Sequence, residues 1–233
     1  MSFKYYISTK ADGNIGFNTS SSHDEVIANR QKIAEKHGFG LNDLVVMQQE
    51  HTANVRVVSR ADAGKGSLAR ETGLAETDAL VTKDKRLVLL AMGADCPLIA
   101  FHDPAKKVIA ITHSGWRGTA GHIAHKTVEV MKENFGCNPE DILASIAPCA
   151  GKCCYEIGLD LVEKFHTQWT IHKQANKYFL DLPETIAGQL HNSGLLKKNI
   201  ITPESCTICD SNFYSYRREK ALAGRFGLFV WLE

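Results

Sequence analysis

Three side chains of the types that bind transition metals, His51, Cys96 and His113, each fall at the end of a predicted strand. Their separations of 45 and 17 residues are too wide for a zinc finger. Two histidines and one cysteine would give a tetrahedral zinc ion three bonds and leave its fourth position open, which is the pattern of a catalytic metal. Taken singly, each residue also has an ordinary structural interpretation, as a hydrogen-bonded histidine or a small buried cysteine.

A loop with the sequence HSGWRG follows directly from His113 and leads into a predicted helix. Its two glycines let the backbone approach a ligand, and Arg117 offers a guanidinium just ahead of the helix N-terminus. Such an arrangement favours phosphate or an oxyanion. The alternative is a surface arginine in an ordinary helix-entry loop. His122 and His125 form an H-x-x-H pair on the same helix, but both flank its apolar stripe, which favours a solvated helix shoulder over a metal site.

A second group of cysteines lies in the C-terminal half: Cys149, Cys153, Cys154, Cys206 and Cys209. The last two form a C-x-x-C motif, which raises a second zinc site or a redox dithiol as alternatives. A zinc ribbon would need a second C-x-x-C, whereas the first three cysteines are spaced C-x-x-x-C-C. The pattern therefore favours structural thiols.

The composition limits the class of protein. With 233 residues, of which 44% are apolar, the chain is predicted to form one domain over residues 1–233. A net charge of +1, from 27 basic and 26 acidic side chains, indicates no nucleic-acid or membrane partner and favours small neutral or anionic ligands. The N-terminal residues lack the apolar run of a signal peptide, so we expect a cytoplasmic protein whose cysteines are largely reduced.

The predicted elements alternate between helices and strands without forming a regular βαβ array. A capping box and Gly38 delimit a helix over residues 22–38, and Asp103-Pro104 is a turn that joins two antiparallel strands. A second helix is predicted from Ala120 to about Asn134. Further segments are predicted as strands (LVV and VRVV around Gln49-Glu50-His51, DALVT, RLVLLAMGADC, DILASIAP), as helices (LDLVEKFHTQW, PETIAGQLHNSG) and as closing β-type stretches (ITPES, NFYSYRRE, FGLFVWLE).

Several of these segments together resemble a known family. GADCPLIAFHDP, ITHSGWRGTAGHIAHKTV, CCYEIG, LDLP and FYSYRRE occur in the order typical of the bacterial YfiH or laccase-domain family, also called the multicopper polyphenol oxidase family. QQEHTANV matches the family's Q-x-H-x-x-x-V pattern through Gln49, His51 and Val55. The resemblance extends from about Lys10 to Leu232. It departs from the family at Thr52, where many members have glycine, and at APCAGKCCYEIG.

The resemblance implies a zinc ion held by His51, Cys96 and His113, with copper as a competitor for the site. It also implies an α/β fold, an α/β/β/α sandwich of mixed sheets flanked by helices and unrelated to the cupredoxins. Its members are described as enzymes that phosphorolyse adenosine, inosine, guanosine and methylthioadenosine and that deaminate adenosine. Purine nucleosides and phosphate are therefore the expected partners, and the oligomeric state stays open.

Five residues receive roles in this hypothesis. Arg117 is predicted to hold phosphate, Gln49 to hydrogen-bond the base or ribose, and Asp95 to orient the Cys96 loop or shuttle a proton. Gly118 and Tyr155 are the other predicted substrate-binding residues.

Rival functions use the same residues. A cysteine hydrolase would use Cys96 as nucleophile and His113 as base. An editing factor for peptidoglycan precursors would need a pocket long enough for a nucleotide-linked sugar. A copper-dependent polyphenol oxidase is disfavoured, because four coppers require histidine ligands in clustered H-x-H motifs, and the ten histidines of this chain form no H-x-H. A metal-binding or partner-binding module would bind zinc without turnover.

Overall fold

The computed structural model describes residues 2–165, 170–173 and 177–233. The described strands, in chain order, are β1 (Phe3–Ile7), β2 (Leu44–Val46), β3 (Val55–Val57), β4 (Ala79–Thr82), β5 (Val88–Gly93), β6 (Leu98–Asp103), β7 (Val108–His113), β8 (Leu143–Ile146), β9 (Glu156–Ile157), β10 (Thr170–Lys173), β11 (Lys177–Leu180), β12 (Ile200–Ile201) and β13 (Phe226–Leu232). The described α-helices are α1 (His23–His37), α2 (Trp116–Ala120), α3 (Ile123–Phe135), α4 (Leu159–Val162), α5 (Leu182–Asn192) and α6 (Tyr216–Glu219). None of these helices is both long enough and apolar enough to cross a bilayer.

Two mixed sheets form the centre of the fold. Within the described residues one sheet has the strand order β1-β13-β5-β2 and the other β12-β8-β6-β7-β4-β3. A third, smaller sheet has the order β10-β11-β9. The predicted antiparallel pair is confirmed as β6 and β7, which pair from Leu98 opposite His113 to Asp103 opposite Val108.

Alternate side chains of the central strands face opposite layers, because neighbouring residues of a strand point to opposite faces. Leu89 of β5, Leu228 of β13 and Ile111 of β7 belong to the core between the two large sheets. Phe229 packs outward against Ile33 of α1. On the other side, the outward face of β6 and β7 packs against α3 and α5. The layers are therefore helix, sheet, sheet, helix, which confirms the predicted sandwich of mixed sheets.

The first helix agrees with its sequence signals. The Ser22 side chain accepts a hydrogen bond from the Glu25 N–H, and Gly38 ends the helix with a left-handed φ of 74°. By contrast, the prediction that one helix begins at Ala120 was wrong. The chain forms α2, breaks at Gly121-His122 and then forms α3. His122 adopts a left-handed φ of 58° at this break. A side chain at Gly121 would lie 2.9 Å from the Ala53 Cβ, so close packing accounts for the glycine.

Three other predicted segments differ from the structure, and the first of them, ITPES, contributes only Ile201 to a strand. LDLVEKFHTQW forms a helix only over α4 in its described part, and residues 166–169 lie outside the described residues. NFYSYRRE contains no strand and instead forms the short helix α6. The Ser215 hydroxyl accepts from the Arg218 N–H, and the Asp95 carboxylate accepts from the Arg217 N–H at 2.6 Å. These two acceptors cap the first turn of a helix, which overrides the β-propensity of the aromatic residues.

One buried cation joins α1 to the loops beside the sheet edge. Arg30 has no solvent-exposed surface, and its guanidinium donates to the carbonyl oxygens of Ile15, Gly66 and Ser67 at 2.9, 2.7 and 2.8 Å. It also lies 4.4 Å from the centre of the Phe17 ring. Arg30 thus replaces the water that these buried carbonyls would otherwise need.

We predict that Arg30→Met lowers the free energy of unfolding by about 4 kcal/mol, because methionine leaves three buried carbonyls without a donor. In a chain of this size the melting temperature should fall by about 10 °C. Thermal denaturation followed by circular dichroism measures the change. Arg56→Met, at an exposed arginine of β3, is the matched control and should melt with the wild type. Equal melting temperatures for both variants would show that Arg30 does not hold these loops.

Candidate metal centre

The structure brings the three predicted metal ligands together from three distant parts of the chain. Their ligand atoms, one each from His51, Cys96 and His113, all lie within 4.8 Å of one another. The Cys96 Sγ is 3.9 Å from the His51 Nε2, and the two imidazole ring centres are 4.9 Å apart. His113 is buried, Cys96 is partly buried and His51 is exposed. The three donor atoms can therefore share one metal ion with access from solvent.

Strand pairing accounts for this meeting. His113 ends β7 and lies opposite Leu98 of β6, so the β5–β6 loop that carries Cys96 reaches the same edge of the sheet. The His113 N–H donates to the Asp78 carbonyl oxygen just before β4, the other neighbour of β7. His51 lies in the loop between β2 and β3, and β3 is paired with β4.

The buried carboxylate of Asp78 organises this edge. It accepts hydrogen bonds from the N–H groups of Glu50, His51 and Thr52 at 3.2, 3.1 and 2.8 Å, and from the Thr52 hydroxyl at 2.8 Å. Its Oδ1 also lies 2.8 Å from the Nδ1 of His113. A carboxylate in this position makes Nδ1 the protonated nitrogen and leaves Nε2 free to bind a metal. Asp78, the first residue of the predicted strand DALVT, was not among the site residues predicted from the sequence, and it lies directly before β4.

The same hydrogen bonds hold a strained loop. Gln49 and His51 both have left-handed backbone conformations, with φ of 55° and 60°. Such conformations are costly for residues other than glycine and persist where surrounding contacts compensate. Asp78 supplies this compensation through three consecutive N–H groups.

The electrostatics favour a thiolate at Cys96. Burial by itself raises the pKa of the Cys96 thiol, but the positive charge of His113 and hydrogen bonds from His113 and His51 outweigh it and lower the pKa to about 6. Burial lowers the pKa of His113, whereas the Cys96 and Asp78 charges and hydrogen bonds raise it, with a net value of about 9. The thiolate is the form that binds metals and attacks electrophiles.

Two glycines of the HSGWRG loop have structural reasons that the sequence did not disclose. A Cβ at Gly115 would lie 2.9 Å from the His51 ring and 3.0 Å from the Cys96 Sγ, so this loop lies directly against the ligands. A Cβ at Gly118 would lie 3.2 Å from the Thr52 carbonyl oxygen. The glycines thus let the loop pack against the candidate ligands His51 and Cys96 and against the Thr52 backbone.

A cavity of about 410 Å³ opens beside the three ligands. This volume lies within the range of small-molecule sites, about 300–1,000 Å³. Apolar and aromatic surface comes from residues that include Phe17, Met47, Met92, Tyr155 and Tyr216. The arginine and lysine side chains that line the cavity are Arg30, Arg70, Arg217, Lys220 and Arg225. The cavity therefore combines surface for a flat ring with several positive charges.

Gln49, Asp95 and Tyr155, three of the predicted site residues, line this cavity. The Gln49 amide donates to the Met92 carbonyl at 2.6 Å and accepts from the Met92 N–H at 2.8 Å, so both of its ends contact the backbone. Asp95 accepts from the Thr207 hydroxyl at 2.8 Å and from the Arg217 N–H. Both side chains are therefore engaged with the walls of the cavity.

Arg117 and Gly118 are not among the described residues that line the cavity. Arg117 is exposed, and its guanidinium lies 4.3 Å from the centre of the Trp116 ring. His122 is exposed at the start of α3, and the His125 Nδ1 lies 2.9 Å from the Ser193 hydroxyl. His122 precedes α3 with a left-handed backbone, so the two histidines do not lie three residues apart on one helix as the sequence predicted.

The sequence analysis missed the cations that line the cavity. Arg217 and Lys220 belong to or follow the FYSYRRE segment, which carried part of the family resemblance but received no role. Burial lowers the pKa of Arg225, while the nearby charges of Cys96, Tyr216 and Asp95 oppose this effect. An arginine remains protonated in such a setting. A positive charge thus lies near the Cys96 thiolate.

The chain is similar to proteins of known name over nearly its whole length. It is 32% identical over 227 residues to the purine nucleoside phosphorylase YlmD of Bacillus subtilis, covering 94% of this chain and 82% of that protein. A protein from an unknown prokaryotic organism, named as an adenosine deaminase, is 31% identical over 208 residues, which cover 86% of this chain and 79% of that protein.

A crystal structure of the hypothetical protein YfiH of Bacillus licheniformis has the same fold. It superimposes with a TM-score of 0.96 at 30% identity, over 99% of this chain and 93% of that one. The model of one family, described as multi-copper polyphenol oxidoreductase laccase, matches residues 4–233. The chain belongs to this multi-copper polyphenol oxidoreductase laccase family.

Proposed function

We propose that the chain, as one domain over residues 1–233, is a zinc-dependent purine nucleoside phosphorylase that also deaminates adenosine. The proposed substrates are adenosine, inosine, guanosine and methylthioadenosine, which phosphate cleaves to the free base and the ribose 1-phosphate. The observation that carries this proposal is the juxtaposition of the His51, Cys96 and His113 donor atoms with a cavity lined by Phe17 and several arginines. The names of the relatives agree with it.

The donor set fits zinc. Bonds of about 2.0–2.3 Å from a tetrahedral zinc ion would place a bound nitrogen and sulfur about 3.6 Å apart, close to the 3.9 Å between the His51 Nε2 and the Cys96 Sγ. Asp78 gives His113 the tautomer that a metal needs. Bound zinc would polarise a substrate oxygen or lower the pKa of a water molecule. Copper also favours thiolate and imidazole and is the expected competitor.

In phosphorolysis, a phosphate oxygen forms a bond to C1′ while the C1′–N9 bond breaks and its electron pair leaves with the base. The phosphate must be held by cations beside C1′. We assign this role to Arg225 and Arg217, which line the cavity, in place of the predicted Arg117. Tyr216, which lines the cavity and is exposed, offers a ring on which a purine can stack.

We propose that the remaining predicted residues either hydrogen-bond the substrate or hold other parts of the site in position. Burial raises the pKa of Tyr155 to about 12, so its hydroxyl keeps its proton and can donate to ribose or phosphate. We propose that Asp95 holds the Cys96 loop and the Arg217 backbone in place, and that Gln49 holds Met92 beside the centre. Gly118 packs against the His51 loop and is not proposed to contact substrate.

Deamination is the second proposed activity, because one relative is named as an adenosine deaminase. It requires water to add at C6 of adenine and ammonia to leave. A purine stacked on Tyr216 would lie in the cavity that His51, Cys96 and His113 also line, so both reactions would use the same cavity. The balance between them depends on whether phosphate or water occupies the site.

A cysteine hydrolase is the alternative that the geometry also favours. Asp78, His113 and Cys96 follow one another as carboxylate, imidazole and thiolate, and the Cys96 pKa is low. A metal analysis separates the two functions, since stoichiometric zinc on Cys96 leaves no free thiolate to attack. A multicopper centre needs clusters of histidines. Among the described residues, the candidate metal group that contains histidines is His51, Cys96 and His113, which would hold a single ion.

We predict that the purified protein with inosine and phosphate forms hypoxanthine and ribose 1-phosphate, and that His51→Ala lowers this turnover at least about 100-fold. Chromatography of the products, with and without phosphate, measures the reaction. His122→Ala removes an exposed histidine that lies away from the cavity and should retain wild-type turnover. The proposal fails if the zinc-loaded wild type forms neither hypoxanthine from inosine nor inosine from adenosine.

A second prediction concerns the phosphate. Arg225→Ala should raise the KM for phosphate at least about tenfold, because one charge-assisted contact with the anion is lost. Arg117→Ala removes an arginine that stacks on Trp116 outside the cavity and should change this KM less than about twofold. Initial rates at varied phosphate and saturating inosine give both values. The reverse order of effects would return the anion site to Arg117.

A further inference from the structure

Four cysteines form a second cluster that the proposed reaction does not use. The sulfur atoms of Cys153, Cys154, Cys206 and Cys209 all lie within 4.8 Å of one another. The Cys154 and Cys209 sulfurs are 3.1 Å apart, and those of Cys153 and Cys209 are 3.6 Å apart. The spacing C-x-x-x-C-C favoured separate structural thiols, but the fold supplies the second ligand pair as the adjacent Cys153 and Cys154. Cys149 is buried outside this group.

We propose that these four cysteines bind a structural zinc ion, separate from the centre at His51, Cys96 and His113. Zinc held by four cysteines is a closed tetrahedral site with Zn–S bonds of about 2.3 Å, which places the sulfurs about 3.8 Å apart. The separations of 3.1 and 3.6 Å are somewhat shorter than this value and no other exceeds 4.8 Å, so small side-chain rotations suffice to accommodate the ion. The ligand set leaves no open position, and the proposed role is therefore structural and not catalytic.

The backbone around the cluster is arranged for a thiolate. The Gly151 N–H donates to the Cys206 Sγ at 3.3 Å, and the turn of the C-x-x-C motif is closed by bonds from the Cys209 and Asp210 N–H groups to the Cys206 carbonyl. On the first segment, the Cys154 and Tyr155 N–H groups both donate to the Gly151 carbonyl, which coils Cys153 and Cys154 toward the second segment. Hydrogen bonds of this kind fix the direction of metal ligands.

Arg218 supports the same turn from the other side. Its guanidinium donates to the carbonyl oxygens of Thr207 and Ile208 at 2.7 and 2.9 Å, and to that of Phe213 at 2.6 Å. These bonds fix the loop that carries Cys206 and Cys209. Four thiolates this close repel one another unless a cation lies between them. A zinc ion bound between the four sulfurs would supply that positive charge.

A zinc ion at this cluster would join two segments of the chain that reach the cavity. Tyr155, which lines the cavity, directly follows Cys154. Thr207 lies between the two cysteines of the second pair, and its hydroxyl donates to Asp95. The ion would therefore join the segment that carries Tyr155 to the one that positions Asp95. This inference rests on these contacts and does not depend on the proposed reaction.

The test is the zinc content of variants purified with a reductant and supplied with zinc, measured by mass spectrometry of the metal. We expect about two zinc ions per wild-type chain, and about one for Cys209→Ser and for Cys154→Ser. Cys137→Ser, at a buried cysteine outside both groups, is the matched control and should keep two. His51→Ala should lose the other ion and keep the one on the four cysteines.

Two results would overturn the proposal. One is that the Cys209→Ser and Cys154→Ser variants contain as many zinc ions per chain as the wild type. The other is that Cys154 and Cys209 form a disulfide in the cell and the cluster binds no zinc. Peptide mapping of the alkylated protein detects such a disulfide. If the cysteine variants do not fold, X-ray absorption spectroscopy of the zinc-loaded wild type distinguishes two zinc sites from one. Two sites predict about 2.5 sulfur ligands per zinc on average, whereas the His51, Cys96 and His113 centre alone gives about one.

Discussion

The carboxylate of Asp78 is the interaction on which the candidate centre depends. It is fully buried, yet it accepts three consecutive backbone N–H groups, one hydroxyl and one imidazole, so its charge is compensated by hydrogen bonds. Burial raises the pKa of this carboxyl, but the bonds from His113 and Thr52 outweigh burial and lower it. One side chain thereby fixes both the left-handed loop of His51 and the tautomer of His113.

The sandwich explains why a single carboxylate can do this. Because β3, β4, β7 and β6 are neighbours in one sheet, the loops that carry His51, Asp78, His113 and Cys96 all meet at one edge. The helices α3 and α5 cover the outer face of the sheet and leave this edge open. The cavity takes three of its five cations, Arg217, Lys220 and Arg225, from the C-terminal part of the chain, so the candidate metal ligands and the proposed phosphate contacts come from distant parts of the sequence.

The sequence indicated the ligand types and the family, and the structure agrees with these. The prediction that each ligand ends a strand holds for His113, whereas His51 and Cys96 lie in loops. The sequence could not indicate Asp78 as readily, because one acidic residue before a strand carries no pattern of its own. Arg117 was favoured because it was predicted to lie in a glycine loop just ahead of a helix N-terminus, but it is the second residue of α2, and its guanidinium lies at the surface beside Trp116. Arg225, more than one hundred residues away, reaches the cavity through the pairing of β13 with β5. Contacts of this kind depend on tertiary packing, which local propensity does not encode.

The most direct test of this account replaces Asp78 with asparagine and measures inosine turnover against free zinc set by a metal buffer. The amide keeps the shape but loses the charge that orients His113, so the zinc concentration for half-maximal turnover should rise about 10–100-fold. Asp103→Asn, at another fully buried aspartate on β6, is the control and should keep the wild-type value. A folded Asp78→Asn protein with an unchanged zinc requirement would contradict the account.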